Sequence, residues 1–312
     1  MLPFRIVYHE GYDLNLGAHV FPSQKFHWIR QQMLLDRFAC ENDFVSPEPA
    51  GDEDLLLVHE PGWIERLKNG TLGYREIVKL EIPYSQKTMQ AFWLAAGGSM
   101  LAARLACEHG IALNLGGGFH HAFAGHGEGF CAINDVAVAV RRAQRDGLAH
   151  RVMVVDCDVH HGNGTAAIFA GDRTVFTLSI HQFNNYPAEK PPSSLDIHLA
   201  DGVGDEEYLH RLGNGYRAAL AMFQPELIIY VAGADPYYQD QLGGLMLTFD
   251  GLKERDRMVM WNALQHRVPV AAVLAGGYAE NVRDTIEIHL NTARVAKDVL
   301  ERAAWRTAMP HT

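Results

Sequence analysis

The segment 152–165, VMVVDCDVHHGNGT, constrains the fold more than any other part of this chain. Its first four residues are apolar, which is typical of a strand buried on both faces, as in a parallel sheet. Two carboxylates and two imidazoles follow at once, in Asp156, Asp158, His160 and His161. Buried charges of this kind are costly unless they are paired or bind a metal. The segment therefore predicts a buried parallel strand whose C-terminal end carries a functional site.

The spacing of Asp158 and His160 predicts half of a metal site. Side chains alternate with a period of two in extended backbone, so these two groups point to the same side. A carboxylate oxygen and an imidazole nitrogen are both zinc ligands. Asp235 follows a strand predicted at 227–232, and it would complete a set of three ligands that leaves zinc an open position for water and substrate. The alternative for Asp235 is an aspartate in a turn or at a helix cap.

Strand and helix patterns alternate along the chain, which predicts an α/β fold with a mostly parallel sheet flanked by helices. Five of the predicted strands lead into polar residues capable of chemistry. These residues are His120 with His121, Asp156 with Asp158 and His160, Ser179, Asp235, and Tyr278. In open α/β sheets the ligand site lies outside the carboxyl ends of the strands. We therefore expect these residues to share one active site.

The adjacent histidines His120 and His121 predict acid–base chemistry. They follow a run of three glycines, and two neighbouring imidazoles do not easily both become core residues. Near a metal-bound water, one of them can act as general base and then as general acid. Asp156 and Asn163 are available to bind the far ring nitrogens and to set their basicity. Tyr278 can donate to a developing oxyanion, although its position also fits a surface tyrosine.

Two other kinds of ligand fit the sequence less well. A binuclear manganese hydrolase would need a further carboxylate two residues after His160, where the chain has Gly162. A mononuclear site is therefore favoured, with zinc or with iron in its place. The glycine runs lack the dinucleotide fingerprint and its later acidic residue, which argues against nucleotide binding.

The composition narrows the class of protein. Hydrophobic residues make up 48% of the 312 residues, enough for one α/β domain over 1–312 with its core at about 4–300. The net charge of −10 argues against non-specific binding to nucleic acid. No apolar stretch approaches the ~20 residues of a membrane span, and no signal peptide is visible. The four cysteines lack CxxC spacing, so we expect a cytoplasmic protein with reduced thiols, and a loose tail over the last ten residues.

Five ordered motifs resemble the zinc-dependent histone deacetylase superfamily. They are LGGGFHHAFAGHGEGFCAINDVAVA, VVDCDVHHGNGT, TLSIHQ, AGADPYYQDQLGG and LAGGY. The superfamily includes bacterial acetoin-utilisation proteins and acetylpolyamine amidohydrolases, and GGGFHH and HHGNG are similar to its class IV branch and bacterial relatives. The resemblance covers nearly the whole chain. It implies the arginase-like α/β fold, with an eight-stranded sheet between helices.

The resemblance also implies roles for individual residues. It implies zinc on Asp158, His160 and Asp235, His121 as general base, Asp156 as partner of His120, and Tyr278 polarising the scissile carbonyl. It implies an acyl-lysine channel lined by Gly129, Phe130, Tyr186 and Leu242. It implies a potassium ion on Asp156, Asp158, His160, Ser179 and Ile180, largely through backbone oxygens. Class I members have an aspartate in place of Asn163, and an amide lacks the charge that stabilises an imidazolium, which leaves the basicity of His121 open.

The activity implied by the resemblance is a zinc-dependent amidohydrolase that removes acyl groups from lysine in proteins or peptides, using a metal-activated water. An acetylpolyamine or other small-molecule deacylase is the alternative enzyme. A non-catalytic, metal-dependent binding protein is the alternative of another class. Binding alone does not require His120, His121 and Tyr278, so the residues favour an enzyme.

The channel is expected to accept acyl groups longer than acetyl. Class IV members of the superfamily prefer long acyl groups. Loop glycines would also leave few side chains to block the mouth or floor of the channel. These are Gly125, Gly127, Gly129, Gly243 and Gly244.

Overall fold

Strands and helices alternate through residues 1–303, the part of the chain that the computed structural model describes. The strands are β1 (Arg5–Val7), β2 (Phe44–Val45), β3 (Ile111–Asn114), β4 (Val152–Asp156), β5 (Val175–Gln182), β6 (Leu195–Leu199), β7 (Leu227–Val231) and β8 (Val270–Val273). The α-helices are α1 (Lys25–Leu35), α2 (Asp52–Leu55), α3 (Pro61–Asn69), α4 (Tyr74–Leu80), α5 (Gln86–His109), α6 (Asp135–Arg145), α7 (Asn163–Ile168), α8 (Asp205–Phe223), α9 (Phe249–Gln265) and α10 (Val282–Ala303). The tail expected to be loose lies almost entirely outside the described residues.

All eight strands belong to one sheet, in the order β2-β1-β3-β8-β7-β4-β5-β6. Every neighbouring pair is parallel. The central strands β3, β8, β7 and β4 are buried along their whole length and consist almost entirely of apolar residues. This is the pattern of a sheet covered on both faces. The predicted α/β fold with an eight-stranded sheet is confirmed, and the sheet is parallel throughout.

Two hydrophobic clusters cover the two faces of the sheet. Val152 and Val154 of β4 belong to one cluster, together with residues of α5 and α6. Met153 and Val155 of the same strand belong to the other, which includes residues of α1, α8, α9 and α10. Because side chains in a strand alternate between the faces, one apolar run serves both helical layers. Within the described residues, no helix combines the length and the apolar character needed to cross a membrane.

The sequence patterns did not predict three of the short elements. They are the edge strand β2, the helix α4 and the helix α7, which begins directly after Gly162. A strand of two residues and helices of six or seven residues are too short to show a clear period. Among them, α7 matters for the site because Asn163 is its first residue.

Candidate functional site

The residues predicted for one site lie at or after the carboxyl ends of four adjacent strands, and the remaining one, Ser179, lies inside the neighbouring strand β5, which continues to Gln182. β3, β8, β7, β4 and β5 are consecutive neighbours in the sheet. In that order they lead to the histidine pair, Tyr278, Asp235 and the segment 156–160, while Ser179 lies within β5 opposite Asp156. Parallel strands present their carboxyl ends at the same edge, so residues far apart in the chain converge there.

Asp158, His160 and Asp235 form a compact buried group. One ligand atom from each lies within 4.8 Å of the others. His160 Nδ1 is 3.0 Å from Asp158 Oδ1 and 3.5 Å from Asp235 Oδ2. All three residues are at most 6% exposed. The structure therefore brings together the three residues that the sequence predicted as metal ligands, including Asp235, whose alternative as a simple turn residue had remained open.

Asp235 supplies an oxygen atom that has no hydrogen-bond partner among the described residues. Its Oδ1 accepts from the Val159 N–H at 2.9 Å, whereas its Oδ2 is buried and unpartnered. Burial and the neighbouring Asp158 carboxylate raise the pKa of Asp235 to about 7. Two buried carboxylates this close require a counter-charge. Since two oxygens and one imidazole nitrogen are a donor set that zinc accepts, the three residues fit a divalent metal.

His120 is held by Asp156. The ring is buried, and its Nδ1 lies 2.6 Å from Asp156 Oδ2. Burial lowers the pKa of His120, but the carboxylates of Asp156 and Asp158 outweigh it and raise the pKa to about 9. Its Nε2 lies 3.1 Å from His121 Nε2. In this arrangement the Nε2 atoms of the two imidazoles are close enough to share one proton.

His121 has an amide in place of a carboxylate as its partner. Its Nδ1 lies 2.7 Å from Asn163 Oδ1. Burial, together with the charges of His120 and His160, lowers the pKa of His121 well below its usual range. Asn163 in turn donates through its Nδ2 to Glu128 Oε1 at 2.5 Å. Sequence patterns did not identify Glu128 as a site residue, because within the glycine-rich loop it appears only as an isolated charge.

The missing side chain at Gly162 gives room to the carboxylate of Asp156. A Cβ at Gly162 would come closer than 3.0 Å to Asp156 Oδ2 and would also approach His120 Nδ1. A carboxylate at this position, as a binuclear site would need, would compete for the same space. The mononuclear site stays a prediction.

A cavity of about 160 Å³ opens onto His121. Its walls are Glu81, His121, Gly129, Phe130, His160, Asn185, Tyr186, Leu242 and Tyr278. All four residues expected to line an acyl-lysine channel are in this set. The Tyr186 ring stands edge-on to His121, with 4.9 Å between ring centroids. Apolar walls that lead to a few polar groups are typical of a ligand pocket. A larger groove, between α1 and α10, contains none of the predicted site residues.

The loop glycines do not leave the open space that the sequence had indicated. A Cβ at any of five positions would come closer than 3.0 Å to a neighbouring atom. These positions are Gly125, Gly127, Gly129, Gly243 and Gly244. At Gly129 the neighbours are Tyr186 and His121 themselves. These glycines allow close packing around the cavity rather than a wider channel.

Tyr278 is a buried residue of the cavity wall, 8% exposed, and not a surface tyrosine. Its backbone N–H donates to Asp240 Oδ2 at 2.7 Å. The other oxygen, Asp240 Oδ1, accepts from the N–H groups of Leu242 and Gly243, both at 2.9 Å. Asp240 thus connects two walls of the cavity. No sequence pattern pointed to Asp240, because a single aspartate in a polar loop does not form part of a periodic pattern.

Lys25 is a third residue that the sequence patterns missed, after Glu128 and Asp240. It is fully buried, and its Nζ donates to the carbonyl oxygens of Ala275 at 2.6 Å and Gly276 at 3.1 Å. Burial lowers the pKa of Lys25 to about 8, despite the opposing effect of Asp235 and other carboxylates. Ala275 has a φ of 53°, which is sparsely populated for a residue with a side chain. Lys25 therefore stabilises the turn that leads to Tyr278.

The residues expected to bind potassium lie at the end of β4, in the segment that follows it, and on β5. Asp156 is the register partner of Ser179, and Ile180 is fully buried next to it. The Ser179 hydroxyl lies 2.9 Å from His181 Nδ1. The binding of an ion at this place stays a prediction.

A second group with metal-ligand chemistry lies between β5 and β6. It consists of His161, His181 and Asp196. His161 Nε2 is 3.1 Å from Asp196 Oδ1 and 3.3 Å from the Ser193 hydroxyl. These contacts form a hydrogen-bonded network of their own. Unlike the group at Asp235, this one has a partly exposed carboxylate that already has partners.

Comparison with known proteins agrees with this geometry. A family model described as the histone deacetylase domain matches residues 19–293. An uncharacterized protein from Picosynechococcus sp. is 41% identical over 95% of this chain and 99% of its own length. Histone deacetylase 2 from Arabidopsis thaliana is 33% identical, over 90% of this chain and 77% of the relative.

The fold has a counterpart among solved structures. The crystal structure of the HDA15 HD domain superposes with a TM-score of 0.79 and 22% identity, covering 95% of this chain and 89% of that one. At this identity the likeness concerns the fold. The matching family model, by contrast, spans the histidine pair, the metal-ligand group and Tyr278 in a single segment. The chain belongs to the histone deacetylase family.

Proposed function

We propose that this protein is a zinc-dependent deacylase that removes acyl groups from lysine side chains of proteins or peptides. The observation that carries the proposal is the cavity in which the apolar side chains of Phe130 and Leu242 lie together with His121, His160 and Tyr278. Its volume of about 160 Å³ is smaller than the ~300–1,000 Å³ usual for drug-sized ligands. Such a cavity suits the single alkyl stem of an acylated amine. The Arabidopsis relative named histone deacetylase 2 supports the same class of substrate.

Asp158, His160 and Asp235 would hold the metal, and zinc is our proposal for its identity. A divalent metal at this position supplies Lewis-acid polarisation of a carbonyl oxygen and lowers the pKa of water. The unpartnered Oδ2 of Asp235 supports the assignment of the third ligand. Gly276 lies against both carboxylates, and a side chain there would displace them.

The two histidines have different roles in this proposal because their partners differ. His121, whose pKa is low, is neutral at working pH, and its Nε2 is available to take a proton from the attacking water. His120 is paired with Asp156, and its Nε2 lies 3.1 Å from that of His121, so the proton taken from water can be shared between the two Nε2 atoms. The pair can therefore hold the proton and return it to the amine as the C–N bond breaks.

Tyr278 is proposed to stabilise the oxyanion. Its ring lies in the cavity wall, with its centroid 6.3 Å from that of His160. Burial and the nearby Asp158 and Asp235 carboxylates raise the pKa of Tyr278 well above its usual range. The phenol therefore keeps its proton and can donate a hydrogen bond. Such a donor stabilises the negative charge that develops on the acyl oxygen.

The channel is proposed to be formed by Gly129, Phe130, Tyr186 and Leu242. Phe130 and Tyr278 stand edge to face across it, with ring centroids 6.2 Å apart. Tyr186 covers His121 from the other side. Such walls would exclude water from the alkyl stem and leave only the acyl group in contact with the polar residues.

The direct test is hydrolysis of acetyl-lysine peptides by the purified, zinc-loaded protein, with the free lysine product measured by mass spectrometry. Activity should disappear with a chelator and return with zinc. His121→Ala should be inactive, whereas Arg257→Gln should retain activity, because Arg257 is on α9 and does not line the cavity. If neither acyl-lysine peptides nor acylated small amines are hydrolysed, the proposed function is wrong.

A small-molecule deacylase is the second candidate, and Glu81 is the observation that favours it. This glutamate lines the cavity beside the apolar walls. A carboxylate there would attract a substrate with further cationic groups, as in an acetylated polyamine. A comparison of acetylpolyamines with acetyl-lysine peptides distinguishes the two. Loss of the polyamine activity alone in Glu81→Gln would support the second candidate.

A structural potassium ion is proposed at Asp156, Asp158, His160, Ser179 and Ile180. The support is the family membership and the pairing of Asp156, at the end of β4, with Ser179 of β5. An ion here would lie next to the segment after β4 that contains two of the proposed metal ligands. Its presence can be tested by the potassium dependence of the melting temperature.

A further inference from the structure

Asn163 stands where class I members have an aspartate, and its side-chain NH₂ group donates a hydrogen bond to Glu128. We propose that Glu128 is a positioning residue that fixes the tautomer of the His121 ring through the amide of Asn163. The chain of contacts runs from His121 Nδ1 to Asn163 Oδ1 at 2.7 Å, and from Asn163 Nδ2 to Glu128 Oε1 at 2.5 Å. The kinetic consequence of this inference rests on the proposed deacylase function, whereas the tautomer itself does not.

The first step concerns the charge of Glu128. The residue is 5% exposed, and its Oε2 lies 2.6 Å from Lys79 Nζ and 3.3 Å from His126 Nε2. Burial raises the pKa of Glu128, but hydrogen bonds from His126, Lys79 and Asn163 outweigh it and lower the pKa to about 2. Glu128 is therefore ionised at any working pH. An ionised carboxylate only accepts hydrogen bonds.

The second step concerns the orientation of the Asn163 amide. An amide has one end that donates and one that accepts, and its neighbours decide which end faces which way. Because Glu128 only accepts, the NH₂ group of Asn163 must face it. The amide oxygen must then face His121. The carboxylate thus determines which end of the amide meets the imidazole.

The third step concerns His121. A neutral imidazole carries its proton on one nitrogen and a lone pair on the other. Since Asn163 Oδ1 only accepts, Nδ1 of His121 must carry the proton. The lone pair is then on Nε2, which lies 3.1 Å from His120 Nε2 and is the atom that a general base needs. Glu128 therefore acts through Asn163 as an aspartate bound directly to His121 would act: it keeps the proton on Nδ1.

Replacement of Glu128 by glutamine should reverse this chain of hydrogen bonds. Lys79 contacts Oε2 and only donates, so it would retain the oxygen of the new amide. The NH₂ group of Gln would then face Asn163, and Asn163 would turn its own NH₂ group toward His121. Nδ1 of His121 would have to accept, and the proton would move to Nε2. The shape of the loop is nearly unchanged, but the base loses its lone pair.

The tautomer can be measured without any substrate. ¹⁵N-labelled imidazole shifts of His121, assigned with a His121→Gln sample, distinguish a proton on Nδ1 from one on Nε2. The wild-type protein should show the proton on Nδ1, and Glu128→Gln should show it on Nε2. A wild-type ring with its proton on Nε2 would overturn the proposal, even if no variant folds and even if the protein is not a deacylase.

The kinetic test uses a second substitution that should restore activity. Such a recovery would not be expected if Glu128 had only a structural role. Glu128→Gln should lower kcat by about 10²–10⁴, as expected when a catalytic histidine has the wrong tautomer or loses its outer partner, with little change in KM. The double variant Glu128→Gln with Asn163→Asp should recover most of the loss. In it, the Gln NH₂ group donates to the new aspartate, whose other oxygen accepts from His121 Nδ1.

Asp54→Asn is the matched control. Asp54 is also a buried carboxylate, paired with Arg142 and Arg145, but it lies on α2 and outside the cavity wall. Its variant should lower the melting temperature while kcat stays within about threefold. If Glu128→Gln lowers kcat no more than Asp54→Asn does, or if the double variant is no faster than Glu128→Gln, Glu128 only stabilises the loop and the proposal is wrong.

Discussion

The Asp240 carboxylate accepts a hydrogen bond from the backbone N–H of Tyr278 at 2.7 Å. Its second oxygen binds the backbone N–H groups of Leu242 and Gly243. One side chain therefore fixes the position of the proposed oxyanion donor relative to the proposed channel wall. Catalytic groups need support of this kind, because a displacement of about 1 Å can cost on the order of 10²-fold in rate.

Asp240→Ala should weaken both stability and catalysis. Three backbone donors would lose their acceptor, and each unsatisfied buried donor costs about 1–3 kcal/mol, less wherever water can enter. We expect a lower melting temperature and a kcat reduced by about 10²-fold at a nearly constant zinc content. Calorimetry, metal analysis and steady-state kinetics measure the three quantities. A variant with normal kcat would show that Tyr278 holds its position without Asp240.

The metal content should be about one zinc per chain after dialysis. Asp235→Ala removes the oxygen that has no other partner among the described residues, so it should abolish retention of the metal. His181→Ala is the matched control, because it disrupts the second histidine–aspartate group instead. Inductively coupled plasma mass spectrometry measures both. Loss of zinc in His181→Ala but not in Asp235→Ala would show that the metal binds at His161, His181 and Asp196 instead. Two bound manganese ions would contradict a mononuclear site.

Tyr278→Phe should retain the fold and the zinc but lose most activity on an unactivated amide. Loss of one oxyanion donor typically costs about 10²–10³ in kcat. Tyr238→Phe is the control, since Tyr238 is 44% exposed and does not line the cavity. Kinetics with an acetyl-lysine peptide compare the two variants. Equal rates for Tyr278→Phe and the wild type would remove the hydroxyl from the mechanism.

The sequence was most informative where a long apolar run ended in polar residues. The run 152–155 predicted both the buried strand β4 and the position of Asp158 and His160, because a covered parallel sheet requires the first and strand geometry gives the second. Asp235 and Tyr278 could be placed at the same edge by the same argument. The eight-strand count came from the family resemblance, since β2 has only two residues.

Residues that act through hydrogen bonds to backbone or to a second side chain could not be predicted in this way. Lys25, Glu128 and Asp240 meet their partners only in the folded chain, and the separation from Lys25 to Ala275 is 250 residues. A single charged residue in a loop or on a short helix has no period and no fixed spacing to a partner. The glycines of the cavity loops were misinterpreted for a related reason, because the sequence does not show which neighbours fill the space.

Glu128 should also affect stability in acid. Its pKa is lowered from 4.5 to about 2, so its contribution to stability is present above pH 4.5 and is lost as the pH falls toward 2. Glu128→Gln removes this titration. The melting temperature of the wild type should therefore exceed that of the variant at neutral pH, and the difference should shrink between about pH 4.5 and pH 2. A difference that is constant over this range would show that Glu128 is not ionised in the folded protein.

Acetyl-lysine should be the preferred substrate in a series of increasing acyl length. The sequence predicted acceptance of longer chains, on the basis of class IV resemblance and of loop glycines. In the structure those glycines are closely packed, and the cavity of about 160 Å³ has His121, His160 and Tyr278 among its walls. Each buried methylene of the acyl group would add up to about 0.8 kcal/mol of binding free energy. A longer acyl group that does not fit into the cavity does not gain this free energy.

The comparison is acetyl-, butyryl-, octanoyl- and myristoyl-lysine on one peptide at matched solubility, measured as kcat/KM. We expect a steady fall from acetyl onward. Gly129→Ala serves as a variant that narrows the cavity, because a Cβ there would approach Tyr186 and His121. It should lower kcat/KM for butyryl-lysine more than for acetyl-lysine. A rise toward octanoyl or myristoyl would mean that the packed loops open in solution, and the longer acyl groups expected from the class IV resemblance would then be the substrates.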